Sequence, residues 1–95
     1  MTLVWTPAAI DDLRALRAYI AAHDQGAARR VALRIIESVE TLLPQSPEIG
    51  RPGRVPGTRE LVITGTPFIV PYRVRDQTIQ ILRVYHGARR WPDQF

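Results

Sequence analysis

The sequence predicts an α+β fold, in which a hairpin of two helices packs on a four-stranded, mainly antiparallel sheet. Two segments between residues 7 and 43 repeat apolar residues at helical spacing. Three later segments are short, rich in β-branched and aromatic residues, and separated by turn-forming residues. With a short apolar segment at the start, the predicted order is β-α-α-β-β-β. The length of 95 residues suits one domain, so we expect residues 1–95 to fold as a single unit.

The first strand and the first helix are predicted at the start of the chain. Residues 3–5 are apolar and predict a short strand. Thr6 is a favoured helix N-cap and Pro7 suits the first helical position. Asp11 and Asp12 follow early in this helix, where the helix dipole favours acidic side chains. We expect the helix to end near residues 23–26, with Gly26 as its C-terminal cap. Its apolar face carries Ile10, Leu13, Leu16 and Ile20.

The second helix is predicted from about residue 27 to residue 43. Pro44 would stop it, because proline lacks the N–H that a helix interior uses. Arg34 and Glu37 are three residues apart and predict a weak surface pair. The predicted inner stripe is Ala28, Val31, Ile35, Val39 and Leu42, widened by Ile36 and Leu43. The short break between the two segments predicts an αα-hairpin.

A loop and three strands are predicted for the rest of the chain. Residues 44–58 contain four prolines and three glycines, which predicts a loop without helix or strand. The strands are expected at about residues 59–64, 68–75 and 78–86. Pro71 has no N–H for a sheet ladder, so we expect a bulge or an unpaired position there.

The turn between the last two strands predicts which side chains share a face. If Asp76 and Gln77 form a two-residue hairpin turn, the strand register is fixed. One face would then carry Val70, Tyr72, Val74, Ile79, Ile81, Arg83 and Tyr85. The other face would carry Ile69, Arg73, Gln80, Leu82, Val84 and His86. We expect Trp5, Tyr19 and Phe68 to belong to the core.

Charge is distributed unevenly along the chain. All 13 basic residues are arginine, and the net charge is +4. Residues 51–95 hold eight arginines and only three acidic residues, whereas residues 1–50 are close to neutral. A basic half predicts a partner with phosphates or carboxylates, although a solvated arginine-rich surface is the alternative. The chain lacks cysteine, a long apolar run and a signal-peptide pattern at its start, so we expect a cytoplasmic protein.

The sequence carries no standard enzyme signature, and we expect neither a cofactor nor a metal. The candidate functional segment is residues 83–92, which concentrates arginine, histidine and aromatic side chains at the end of the last strand. Candidates for metal-free RNA cleavage are Arg83, Tyr85, His86 and Arg89. Candidates for binding a target protein are Arg83, Arg89, Arg90 and Trp91, since such residues dominate interface hot spots. Taken singly, each also has a plain structural explanation, such as a strand cap in which His86 hydrogen bonds to a loop carbonyl.

Six segments of the chain resemble the RelE/ParE toxin family in order and spacing. The first two are Trp5-Thr-Pro-Ala-Ala-Ile-Asp-Asp-Leu and Tyr19-Ile20. They are followed by Pro47-Glu-Ile-Gly-Arg-Pro and Gly57-Thr-Arg-Glu-Leu. The last two are Phe68-Ile-Val-Pro-Tyr-Arg-Val and Ile81-Leu-Arg-Val-Tyr-His-Gly-Ala-Arg-Arg-Trp-Pro. The resemblance covers nearly the full length.

The resemblance implies a toxin that inhibits growth and is neutralised by an antitoxin encoded beside it. One branch of the family poisons DNA gyrase, and the other cleaves mRNA on the ribosome without a metal. Two departures favour the gyrase branch: Ile69 stands where RNA-cleaving relatives have arginine, and the chain has no lysine. Conversely, His86 and Arg89 match active positions of some RNA-cleaving relatives. A third possibility is a degenerate toxin that only binds antitoxin.

The antitoxin would be the first partner of such a toxin. An acidic segment that folds on binding would lie across the sheet or the helical hairpin in a toxin–antitoxin hetero-oligomer. The arginines we expect it to cover are Arg51, Arg54, Arg59, Arg73 and Arg83. The further partner would be DNA gyrase, or alternatively the ribosome and mRNA, with no role for a membrane.

Overall fold

A computed structural model describes residues 1–95 and confirms the α+β class, with a helical hairpin packed on a mixed, mainly antiparallel sheet. The elements are β1 (Thr2–Trp5), α1 (Pro7–Ala21), α2 (Gln25–Gln45), β2 (Arg51–Pro52), β3 (Arg59–Val62), β4 (Phe68–Arg75), β5 (Thr78–Ile81) and β6 (Tyr85–His86). The strand order is β1-β5-β4-β3-β2, with β6 also paired to β4. Only the β1–β5 pair is parallel. The sheet has six strands rather than four because it includes the two-residue strands β2 and β6.

Helix α1 begins as the sequence predicts but ends differently. The Thr6 hydroxyl accepts a hydrogen bond from the Ala9 N–H at 3.2 Å and donates to the Ile81 carbonyl at 2.8 Å, which ties the helix start to the sheet. Gly26 does not cap α1, so the predicted C-terminal cap was wrong. Instead it lies in the first turn of α2, because Asp24 caps that helix by accepting from the Ala27 N–H at 3.0 Å. The break between the helices, at residues 22–24, therefore lies earlier in the chain than predicted.

Helix α2 extends past its predicted end. Pro44 lies within its last turn and the helix ends at Gln45, so Pro44 does not stop it. The buried residues of α2 are Ala28, Ala32, Ile35, Val39 and Leu43. Leu42 is 41% exposed, contrary to the predicted stripe, and Leu43 takes the core position. Arg34 does not pair with Glu37; its Nε donates to the Thr64 carbonyl and so links α2 to the loop after β3.

The predicted irregularity at Pro71 is confirmed as a bulge. Tyr72 of β4 faces Ile81 of β5, whereas Ile69 faces Tyr85 of β6. Two residues of β4 therefore lie opposite the three residues 82–84, and the Leu82 N–H donates to the Pro71 carbonyl at 3.0 Å. The extra residue divides the predicted strand at residues 78–86 into β5 and β6.

The bulge reverses the predicted faces beyond it. Val84 belongs to the core beneath the helices, together with Tyr72 and Ile81. Tyr85 pairs with Ile69 and lies on the opposite face. The predicted assignment of Val84 and Tyr85 was wrong, because one additional residue moves all following side chains to the other side of a sheet.

The remaining predictions concern three core residues and the loop at residues 44–58. Trp5 and Phe68 pack against the core as expected, but Tyr19 is 76% exposed and is not a core residue. The segment of residues 44–58 is not entirely irregular, because Arg51–Pro52 forms β2 beside β3. Neither helix is long and apolar enough to span a membrane.

Candidate functional site

The segment after β6 forms a shallow depression of about 460 Å³ around the ring of Tyr85. The guanidinium carbons of Arg83 and Arg89 lie 4.7 and 4.4 Å from the Tyr85 ring centroid. The Trp91 ring meets Tyr85 edge-on at 5.1 Å between centroids. The lining residues are Arg83, Tyr85, Arg89, Arg90, Trp91, Pro92, Gln94 and Phe95. All four predicted target-binding residues thus line one depression, and three of them (Arg83, Arg89 and Trp91) contact a tyrosine that is only 1% exposed.

Arg83 is held by helix α1. Its Nε and Nη2 donate to the two carboxylate oxygens of Asp12 at 2.7 and 2.9 Å. The Asp12 carboxylate also accepts from the Val84 N–H at 3.0 Å. The hydrogen bonds that Arg83 donates to Asp12 raise the pKa of Arg83, so the guanidinium stays charged. Asp12 was expected only to interact favourably with the helix dipole. It lies beyond the first turn of α1 and anchors the bulge instead.

His86 lies outside the depression, although it is a neighbour of Tyr85 in sequence. Its Nδ1 accepts a hydrogen bond from the Ala88 N–H at 3.1 Å, so the ring binds a loop N–H and not the loop carbonyl expected of a strand cap. Its ring meets Phe68 edge-on at 5.8 Å. The structure therefore does not bring His86 into the cluster of Arg83, Tyr85 and Arg89. Nowhere along residues 1–95 do three or more His, Cys, Asp or Glu side chains form a group that would hold a metal ion.

Arg54 and Glu60 extend the site beyond the predicted segment. The Arg54 guanidinium lies 4.0 Å from the Trp91 ring centroid. Glu60 is 1% exposed and pairs with Arg51 at 2.9 Å and with Arg54 at 3.6 Å. Sequence reasoning missed Glu60. The available signal was a lone acidic residue in a strand preceded by a loop with two arginines.

The five arginines predicted to meet an antitoxin do not form one patch. Arg59 and Arg73 line a second depression of about 640 Å³, together with exposed Met1, Ile49 and Val74. Arg51 and Arg54 pair with Glu60, and Arg83 lies in the first depression. Arg59 is also engaged within the chain, since its Nη1 donates to the Glu48 and Gly50 carbonyls at 3.2 and 2.9 Å.

Tyr72 fastens the proline-rich loop to the sheet. Its hydroxyl donates to the Pro47 carbonyl at 2.7 Å and accepts from the Gly50 N–H at 2.9 Å. Burial raises the pKa of Tyr72, because the ionised phenolate would lose its hydration. The loop that carries Arg51 and Arg54 is thus attached at its start by a buried, neutral phenol.

The arrangement of these segments matches known proteins along nearly the whole chain. The sequence profile of the family described as the ParE toxin of the type II toxin–antitoxin system parDE matches residues 3–91. The chain belongs to the ParE toxin family. It is therefore a toxin of a type II toxin–antitoxin system, and the RelE/ParE resemblance is confirmed.

Relatives of this ParE-family chain carry both RelE and ParE names. Y4kP of Sinorhizobium fredii, a candidate toxin, is 43% identical over 93% of this chain and 90% of its own length. The toxin RelE2 of Caulobacter vibrioides is 39% identical over 92% of this chain and 96% of its own. Among solved structures, the chromosomal ParDE toxin–antitoxin system of P. aeruginosa matches with a TM-score of 0.78 and 36% identity, covering 90% and 95% of the two chains. The RelBE2 toxin–antitoxin complex of Mycobacterium tuberculosis matches with a TM-score of 0.68 and 29% identity, over the same shares.

Proposed function

We propose that this ParE-family toxin inhibits growth by binding and poisoning DNA gyrase. The observation that carries the proposal is the engagement of the candidate catalytic side chains. Arg83 is bound to Asp12, Tyr85 is buried beneath two arginines, and His86 lies outside the depression. Proton transfer needs an acid and a base within reach of one substrate position, and this cluster offers none in that arrangement.

A binding surface accounts better for what the segment exposes. Arg89 and Arg90 are exposed and Trp91 is half-buried, which is the composition of protein-interface hot spots. The rings of Trp91 and Tyr85 are already packed together, so little side-chain entropy would be lost on binding. Ile69 is buried with an apolar side chain, and so supplies no positive charge where RNA-cleaving relatives place arginine.

The proposal is tested with the purified chain in two parallel assays. We expect it to inhibit supercoiling by DNA gyrase and to cause cleaved DNA to accumulate. Expression of the chain in cells should also induce the SOS response. In a reconstituted translation system, primer extension on the mRNA should show no new ends. Reproducible cuts at A-site codons, without gyrase inhibition, would refute the proposal and favour the nuclease.

Ribosome-dependent mRNA cleavage is the second candidate, and one feature favours it. His86 is exposed at the end of β6, with Nδ1 engaged and no protein hydrogen bond to Nε2. Such a ring leaves one nitrogen accessible to a bound substrate. In that mechanism His86 or Arg89 would act on the 2′-OH or stabilise the phosphorane.

We propose a cognate antitoxin as the partner that silences the toxin, in a hetero-oligomer. An acidic segment would pair with Arg59 and Arg73 while its apolar side chains cover Met1, Ile49 and Val74 in the second depression. Co-expression with the adjacent upstream open reading frame should give a stable complex that co-purifies. Persistent purification of the toxin alone would contradict this part of the proposal.

A further inference from the structure

The proline-rich loop and the C-terminal segment meet where Arg54 stacks on Trp91. The guanidinium carbon lies 4.0 Å from the ring centroid, within the range of a cation–π contact. Arg54 is itself fixed by Glu60, which accepts from its backbone N–H at 2.8 Å and pairs with its Nε at 3.6 Å. We propose that Glu60, acting through Arg54, is the positioning residue that holds Trp91 in the target-binding surface; this surface rests on the proposed function.

The setting of Glu60 suits a positioning residue. The carboxylate is buried, and its second oxygen accepts two hydrogen bonds from Arg51 at 2.9 and 3.1 Å. Each oxygen is therefore engaged separately: one accepts only from Arg51, and the other holds the Arg54 backbone and guanidinium. A buried charge with this many donors is costly to disturb, because its hydration cannot be restored in place. Arg51 shares the carboxylate but is not the arginine stacked on Trp91.

Trp91 needs such support, since the chain after β6 has no regular helix or strand. Its indole Nε1 is buried without a hydrogen-bond partner, which disfavours this position of the ring. The contacts that offset the cost are the Arg54 guanidinium on the ring and the edge-on contact with Tyr85. Without Arg54, the ring should turn so that the N–H reaches water.

The test follows the indole N–H signals of the two tryptophans by ¹H–¹⁵N NMR, with Trp91 assigned through Trp91→Phe. Arg54→Ala and Glu60→Gln should shift the Trp91 signal and leave that of Trp5 in place. Arg51→Ala is the matched comparison, because it removes the other arginine on Glu60. It should leave the Trp91 signal where it is. Thermal melting of each variant confirms that it is folded.

Gyrase inhibition is the second readout on the same proteins. Loss of the Arg54 contact should raise the half-inhibitory concentration about three- to thirtyfold. Arg75→Ala, an exposed arginine at the end of β4, should leave it unchanged. The proposal is overturned if Arg54→Ala or a folded Glu60→Gln leaves the Trp91 signal in place, or if Arg51→Ala shifts it equally. A wild-type chain that does not inhibit gyrase refutes the proposed function, and the NMR comparison alone then decides the role of Glu60.

Discussion

Asp12 and Arg83 are 71 positions apart and form a bidentate ion pair with N–O distances of 2.7 and 2.9 Å. The pair joins helix α1 to the bulge at residues 82–84, where the face of the last strand reverses. Because Arg83 also covers the Tyr85 ring, Asp12 contributes to the shape of the candidate surface from outside it. The ion pair therefore links the helical hairpin to the candidate surface.

Removing the Asp12 carboxylate charge should destabilise the fold. Asp12→Asn leaves the half-buried Arg83 without its anion, and the expected loss is about 1–3 kcal/mol. For a domain of this size, each kcal/mol lowers the melting temperature by about 4–8 °C. Thermal unfolding followed by circular dichroism measures the change. Asp11→Asn is the control, because Asp11 is exposed on the same helix. Equal melting temperatures for the two variants would contradict the structural role of the pair.

Alkaline pH should weaken the fold through Tyr72. Burial raises its pKa above the ordinary value of 10.0, so the folded chain retains the phenol proton longer than the unfolded chain. The corresponding stability is fully present below about pH 10 and declines as the pH rises further. Urea unfolding between pH 8 and 11 should show this decline, and Tyr72→Phe should flatten it while lowering stability at neutral pH. Tyr19→Phe, at an exposed site, should keep the wild-type slope.

Replacing Gly50 and Gly26 with alanine should change the stability of the fold in opposite directions. A Cβ at Gly50 would lie 2.6 Å from the Tyr72 hydroxyl oxygen and ring, and Tyr72 is fully buried. We expect Gly50→Ala to cost about 1–3 kcal/mol, because the loop or the ring must move. At Gly26 in α2 the nearest atom is the flexible end of Arg30, at 3.2 Å. Gly26→Ala should stabilise the chain by about 0.4–1 kcal/mol. Urea denaturation of both variants checks the two signs, and a stabilising Gly50→Ala would show that the loop is not tightly held.

The sequence was sufficient for elements whose signals are local. Thr6 and Pro7 predicted the start of α1, and Pro71 predicted the bulge. The bulge's effect on Val84 and Tyr85 could not be predicted, because it depends on which strand carries the extra residue. That choice is made by long-range pairing. Tyr19 was wrongly assigned to the core. An aromatic residue in an amphipathic helix fits the core pattern even when its side chain lies outside the buried face.

The candidate site could also be predicted from the sequence only in part. Composition identified the segment that contains Arg89, Arg90 and Trp91, and the structure brings these residues together. Two partly buried contacts behind this segment come from elsewhere in the chain: Asp12 of helix α1 binds Arg83, and Glu60 of strand β3 binds Arg54. No local pattern relates them to the last segment, since their contacts exist only once the sheet is assembled.

Antitoxin binding should depend on Arg73 and on salt. Its Nε donates to the Gln80 side chain at 2.7 Å on the sheet surface, so Arg73→Ala should change stability by less than about 0.5 kcal/mol. It should nevertheless weaken the complex, and raising ionic strength should reduce the difference from wild type. Binding measured by calorimetry at two salt concentrations tests this, with Arg75→Ala on the same strand as control. An Arg73→Ala complex of unchanged affinity would place the acidic segment elsewhere.

Single substitutions in the last segment should separate gyrase binding from RNA cleavage. Under the proposed function the binding energy is spread over a patch, so Arg89→Ala should weaken toxicity about fivefold and His86→Ala should change it little. Trp91→Ala or the double change of Arg89 and Arg90 to alanine should approach inactivity. If His86 were a general acid or base, its loss would lower the rate by about 10²–10⁴-fold. Growth under graded induction measures toxicity, and antitoxin binding confirms that each variant is folded. A folded, antitoxin-binding His86→Ala chain without toxicity would show that His86 acts chemically.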